Sequence, residues 1–106
     1  MGFDSIKAHQ QFKDGKLSKH AVFSQPGLCM VDVYCARPGQ SQPVHGHEHA
    51  TKCYAVIEGR ARITIGDEVR EVGPGDLAFA PLGVAHGIEA IGPGDLTALV
   101  FISGTL

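Results

Sequence analysis

The sequence of 106 residues contains no tryptophan, few cysteines and no long apolar segment. No stretch approaches the roughly 20 apolar residues that a membrane-spanning helix requires. The formal net charge is −2, and no run of basic residues interleaved with aromatic ones occurs, so nucleic acid is not an expected partner. The start, MGFDSIKAHQ, lacks the basic and apolar regions of a signal peptide. We therefore expect a cytoplasmic protein without a membrane partner.

The three cysteines, Cys29, Cys35 and Cys53, are odd in number and form no CxxC pair. A small domain stabilised by disulfides would need an even, closely spaced set. The sequence therefore predicts free thiols in a reducing compartment, which agrees with the cytoplasmic expectation.

Fourteen glycines and six prolines divide the chain into short runs rich in β-branched, aromatic and small apolar residues. The run RARITI (60–65) alternates polar and apolar residues, and Gly66-Asp67 leads into EVREV (68–72), a hairpin pattern. Similar runs cover 28–37, 52–59, 76–81, 84–91 and 96–103. The sequence predicts one all-β domain, an antiparallel sandwich or barrel, with Val56, Phe79 and Phe101 in its core.

The first 27 residues are polar and mixed, and we treat them as an N-terminal segment distinct from a barrel over 28–106. This segment is expected to pair at a sheet edge, and its histidines, His9 and His20, are interpreted as surface residues. Small barrels often pair through their exposed edges. We therefore predict a homodimer in which this segment is a candidate dimer arm.

The stretch VHGHEHATKCYAVIEG (44–59) places His45, His47 and His49 at alternate positions. In one extended strand these three side chains would share a face, but the α-carbons of His45 and His49 would be roughly 13 Å apart. Two of them could hold one metal ion, together with ligands from elsewhere in the chain. His86, after a Pro/Gly turn in PLGVAHGIEA, is the candidate partner. A solvated His-rich loop is the alternative, and we favour the metal site.

These residues resemble the two motifs of the cupin superfamily. The first motif, G-x5-H-x-H-x3,4-E-x6-G, is matched at Gly39, His45, His47 and Gly59. The second, G-x5-P-x-G-x2-H-x3-N, is matched at Gly75, Pro81, Gly83 and His86. The resemblance implies a double-stranded β-helix, or jelly-roll, barrel.

In that family the motif glutamate and the three motif histidines hold a divalent ion, so the resemblance implies His45, His47 and His86 as ligands. This sequence departs from the pattern at two positions, with Lys52 in place of the glutamate and Ala90 in place of the asparagine. Three outcomes stay open at this point. The site has three histidines and open positions, or Glu48 or His49 supplies another ligand, or Lys52 prevents metal binding and leaves a pocket for small molecules.

Lys52 and Tyr54 share one strand face, opposite Cys53, and are the candidate catalytic residues. Lys52 could bind a substrate carboxylate or transfer a proton. The interpretation that we favour instead places its ammonium in solvent at the barrel mouth. Tyr54 could offer its phenol to a substrate, although filling the barrel is the commoner role of an aromatic residue on a strand.

Two functions therefore remain open. The first is a mononuclear metal enzyme, dioxygenase-like or isomerase-like, that uses Fe, Mn, Ni or Zn on a small oxygenated substrate. The second is a non-catalytic module that binds or senses a small molecule or a metal. The sequence does not decide between them, because a fold of this kind serves many functions.

Overall fold

The computed structural model describes residues 2–46 and 48–105, and almost all of its regular structure is β-strand. A single 3₁₀ turn, Lys7–His9, precedes the first strand. The nine strands are β1 Ser18–Gln25, β2 Cys29–Ala36, β3 Ser41–His45, β4 Ala50–Glu58, β5 Ala61–Ile65, β6 Glu68–Val72, β7 Leu77–Ala80, β8 His86–Ala90 and β9 Leu96–Gly104. None of the helical structure in the described residues is long and apolar enough to span a membrane.

The strands form two antiparallel sheets. The five-stranded sheet has the order β1-β2-β9-β4-β7, and the four-stranded sheet has the order β3-β8-β5-β6. Neighbours in each sheet are often distant in sequence, as in the pairing of β2 with β9 and of β3 with β8. The predicted all-β jelly-roll barrel is confirmed.

Strand β4 shows how the two-residue period of a strand builds the barrel interior. Ala50, Lys52, Tyr54 and Val56 are buried, whereas the residues between them are partly exposed. On strand β9 the alternate residues Leu96, Ala98, Val100 and Ile102 are also buried, and Thr97 near the start of the strand is buried as well. Each large apolar side chain in this position stabilises the fold by roughly 1.5–3 kcal/mol. Lys52 is therefore a charged residue among the otherwise apolar inward positions of these two strands.

The prediction that Phe79 and Phe101 belong to the core is wrong, whereas Val56 is buried as predicted. Phe79 is 55% exposed and Phe101 is 40% exposed. Both lie opposite Cys53 across the ladder, on the face of the sheet that points away from Lys52. The register continues this outer apolar row through β2 and β1 at Val31 and Phe23. The predicted homodimer stays a prediction.

The N-terminal segment packs more closely than its composition suggests. Strand β1 lies at the edge of the five-stranded sheet, and His9 and His20 are partly buried. The two Nδ1 atoms are 2.7 Å apart, and His9 Nε2 lies 3.0 Å from a carboxylate oxygen of Asp4. The interpretation of these histidines as surface residues is therefore wrong. The domain division at residue 27 and the dimer-arm role stay predictions.

Candidate functional site

A β-bulge in β3 turns His45 into the barrel. Gln42 lies opposite Ile88, and His45 lies opposite His86, so β3 takes three residue steps where β8 takes two. Without the extra residue, strand alternation would send Gln42 and His45 to opposite faces. The bulge contains Pro43, a residue that sheets accept mainly at edges and bulges, and β3 is an edge strand. The bulge thus re-aims a side chain, as bulges near functional sites often do.

Gly87 allows the two backbones to approach at this bulge. A Cβ atom on Gly87 would lie 2.9 Å from the Gln42 carbonyl oxygen and 3.0 Å from the Val44 nitrogen. Both atoms belong to the backbone, so neither can move aside without shifting β3. The absence of a side chain next to His86 is therefore what keeps His45 in register with it.

Replacing Gly87 with alanine is expected to lower the free energy of unfolding by about 1–3 kcal/mol, the usual cost of forcing extra volume into a packed position. It should also weaken any ligand binding that requires His45 and His86 together. Thermal unfolding measures the first effect. Gly94→Ala is the matched control, because a Cβ there meets nothing within 4 Å. Equal stability of the two variants would contradict this account of the bulge.

The two histidine rings meet inside the barrel. Their centroids are 4.6 Å apart and their planes are inclined at 63°. His45 Nδ1 lies 2.8 Å from the Pro43 carbonyl oxygen, and His86 Nδ1 lies 3.0 Å from the Val84 carbonyl oxygen. A carbonyl only accepts, so each Nδ1 carries the proton and donates it. In the neutral rings the lone pair is then on Nε2, the arrangement that metal-binding histidines commonly adopt.

The turn before β8 explains how His86 reaches this position. Val84 N donates to the Pro81 carbonyl oxygen over 3.1 Å, and Gly83 adopts a positive φ of 76° inside the turn. A side chain would strain the backbone at that φ. His86 begins the next strand and is only 1% exposed.

The remaining predicted ligands are placed differently. His47 lies outside the described residues, and Glu48 and His49 are exposed in the bend that precedes β4. The assumption that 45–49 forms one extended strand is wrong, because β3 ends at His45. In residues 2–46 and 48–105, no three His, Cys, Asp or Glu side chains converge as a metal site. The structure therefore joins two of the three histidines implied by the motifs.

Lys52 does not extend to solvent, so the interpretation that its ammonium lies in solvent at the barrel mouth is wrong. The residue is only 2% exposed. Its ammonium donates a hydrogen bond of 2.9 Å to Gln42 Oε1. It also lies 5.0 Å from the centre of the Tyr34 ring and 5.3 Å from that of Tyr54, both suitable cation–π distances. The charge is thus held inside the barrel by an amide oxygen and two aromatic faces.

Burial lowers the pKa of Lys52 to about 8, with the positive charge of Lys19 adding to the effect and Asp32 opposing it. The pKa of the Asp32 carboxyl group shifts in the other direction. Burial raises it, and the positive charges of Lys52 and Lys19 partly oppose this rise. Desolvation disfavours the charged form of each group. Lys52 therefore stays mostly protonated at neutral pH but is a better proton donor than an exposed lysine.

Tyr54 links the lysine to the histidine pair. Its ring centre is 6.3 Å from that of His86, and its hydroxyl oxygen is buried without a hydrogen-bond partner among the described residues. Burial, followed by the influence of Tyr34, raises the pKa of Tyr54. The phenol therefore stays protonated and can act as a hydrogen-bond donor rather than as a base.

A cleft of about 560 Å³ opens beside these groups. Five strands contribute to its walls, which combine an apolar part with charged and polar side chains. The polar lining residues are Lys19, Asp32, Tyr34, Gln42, His45 and Lys52. Its volume falls in the range of small-molecule sites in proteins.

The family comparison agrees with the fold. The chain matches the Cupin domain family over residues 33–102, well over half of its length. The protein is a cupin. It is 39% identical to the oxalate decarboxylase OxdC of Bacillus subtilis over 99% of this chain and 29% of that enzyme. It is 33% identical to the mannose-1-phosphate guanylyltransferase ManC of Salmonella typhimurium over 65% of this chain and 14% of that enzyme.

This cupin thus spans less than a third of either enzyme's length. A structure similar over its whole length also exists. The crystal structure of TT1209 from Thermus thermophilus superimposes with a TM-score of 0.93 at 32% identity, covering 100% of both chains. The likeness therefore extends over the whole length of this chain.

Sequence reasoning missed the polar partners of Lys52 in the barrel. Asp32, Tyr34 and Gln42 all line the cleft, and none was a candidate. The alternation of β2 contains one usable signal, since Asp32 and Tyr34 share a strand face. Gln42 also lies three residues before His45, but the bulge conceals that both point inward.

Proposed function

We propose that this cupin binds one divalent metal ion through His45, His47 and His86 and presents it to a small oxygenated substrate. The observation that supports this most strongly is the inward-facing pair of His45 and His86, opposite each other across β3 and β8. Each Nδ1–H is directed to a backbone carbonyl oxygen, which orients the ring as a ligand.

The donor set is compatible with such an ion. Neutral imidazoles suit Fe, Mn, Ni and Zn, and affinity order alone does not select one of them. Three neutral ligands would leave the full positive charge available to polarise a substrate oxygen. His47 is assigned by the first cupin motif, in which it follows His45 at the expected spacing.

We further propose that the protein is an enzyme of the dioxygenase or isomerase type, with Lys52 and Tyr54 as its catalytic residues. Lys52 lines the cleft, and the lowering of its pKa to about 8 makes the ammonium a competent proton donor near neutral pH. Tyr54 contacts both the ammonium and the His86 ring, so its protonated phenol can orient a group between them.

A non-catalytic binding module is the alternative, and one observation favours it. Lys52 stands where the family has an acidic ligand, and its ammonium is already held by Gln42. A fixed positive charge close to the site would weaken the binding of a second cation. In that case the cleft would bind an anion rather than support chemistry on a metal.

Metal analysis tests the main proposal. Protein purified without added metal, and then separately incubated with Fe, Mn, Ni or Zn and desalted, should retain about one ion per chain for at least one of them. Retention far below one ion per chain for all four metals would refute the metal site. If an ion is retained, oxygen uptake with a panel of diols and keto acids separates the enzyme from the binding module.

A further inference from the structure

The Lys52 ammonium is buried and forms no salt bridge with a described carboxylate, although Asp32 attracts it from the same cleft. No carboxylate in the described part of the chain lies within 4 Å of its Nζ atom, and its one hydrogen bond goes to the neutral Gln42 amide. A buried charge is costly unless it is paired. The cation–π contacts with Tyr34 and Tyr54 offset part of that cost but supply no negative charge. An ammonium has three donors, so others remain for a ligand.

Asp32 faces the same cleft, and one of its carboxylate oxygens also lacks a hydrogen-bond partner among the described residues. The residue is 7% exposed, and its Oδ1 atom is buried without a hydrogen-bond partner among the described residues. Buried side-chain oxygens nearly always have a partner in folded proteins. A ligand hydroxyl donating to Oδ1 would meet this requirement.

The charge balance of the cleft decides which ligand suits it. Its lining contains two lysines, Lys19 and Lys52, and one acid, Asp32. An anionic group is therefore favoured beside Lys52, and a second positive charge on the ligand is not. The partner for Asp32 is accordingly a neutral donor such as a hydroxyl rather than an ammonium.

We propose that the cleft binds a small hydroxycarboxylate, whose carboxylate accepts a hydrogen bond from Lys52 and whose hydroxyl donates one to Asp32. This proposal rests on the proposed function in placing the substrate in this cleft, but it requires no metal. Gln42 holds the ammonium in position, and the apolar part of the wall, Met30 and Ile102, covers the carbon skeleton. The volume of about 560 Å³ leaves room for a ligand of several carbons.

The test uses the full-length protein in EDTA at neutral pH, with L-lactate and propionate as probes that differ by one hydroxyl. Calorimetric titration should show that lactate binds about tenfold more tightly than propionate, as expected for one additional hydrogen bond. Lys52→Met should weaken both probes by about tenfold or more. Asp32→Ala should remove the preference for lactate over propionate. Because it also removes a negative charge from the cleft, propionate should bind at least as tightly as to the original protein. Lys7→Met, on the 3₁₀ turn outside the cleft, is the control and should bind both probes like the original protein.

Equal affinities of the original protein for lactate and propionate would overturn the proposal, and so would unchanged binding in Lys52→Met. The comparison of the two probes needs no variant, so a misfolded variant would not obscure it. Metal retention without lactate preference in EDTA would refute this inference alone. Lactate preference without metal retention would refute the proposed metal site alone.

Discussion

Replacing His45 with alanine is expected to lower the affinity of the protein for its divalent ion by at least about 100-fold. Loss of residues that merely orient a ligand costs 10–100-fold, so loss of a ligand should cost at least as much. His45 is suited to this test because it is only partly buried at the end of β3. Its removal should therefore disturb the barrel less than removal of His86, which is 1% exposed. Competition titration against a chromogenic chelator measures the change.

His20→Ala is the matched control for this experiment. His20 is also a partly buried strand histidine with an Nδ1 contact, but its partner is His9 on the N-terminal segment. It should bind metal like the original protein. Equal losses in the two variants would indicate a general effect on folding, and no loss in His45→Ala would remove His45 from the metal site.

The barrel could be predicted because the turn residues and the two-residue alternation of the strands indicate the same fold along most of the chain. Glycine and proline turns separate runs with a period of two, and the hairpin at Gly66-Asp67 joins β5 to β6 as expected. The burial of β4 follows the same alternation. The side of the sheet on which aromatic residues are buried could not be predicted in this way. Phe79 and Phe101 are apolar enough for a core, but their register with Cys53 places them outside it.

The candidate site could be predicted only in part, because its geometry depends on one extra residue. The motif spacing identifies His45 and His86, yet a regular β3 would turn Gln42 and His45 to opposite faces. The bulge at Pro43 reverses this and brings both residues toward Lys52 and His86. A proline inside a short strand is a weak signal for such a bulge. The direction of the Lys52 ammonium depends on Gln42, Tyr34 and Tyr54, which meet it from three different strands.

Replacing Lys52 with glutamate is expected to raise the affinity for the divalent ion by about 100-fold. The substitution removes a positive charge and places a carboxylate where the family has its acidic ligand. One unit of charge about 6 Å from a dipositive ion interacts with it by roughly 5 kcal/mol at an effective dielectric of about 20. The substitution changes the charge by two units, and desolvation of the buried carboxylate and of the ion offsets most of the gain. Without metal the variant should be less stable than the original protein, because its carboxylate is buried near Asp32. The chelator competition and thermal unfolding with and without metal measure both effects.

Lys19→Glu is the control that distinguishes the gain in metal affinity due to a new carboxylate ligand from the gain due to a change in charge alone. Lys19 lines the same cleft but is exposed, and the substitution changes the net charge by the same amount. Because water screens an exposed charge, Lys19→Glu should raise the metal affinity only a few-fold. Equal gains in the two variants would mean that the cleft potential acts alone and that position 52 supplies no ligand. If Lys52→Glu keeps its fold but does not gain metal affinity, residue 52 does not face the ion. The non-catalytic anion-binding module would then be the better account of this cupin.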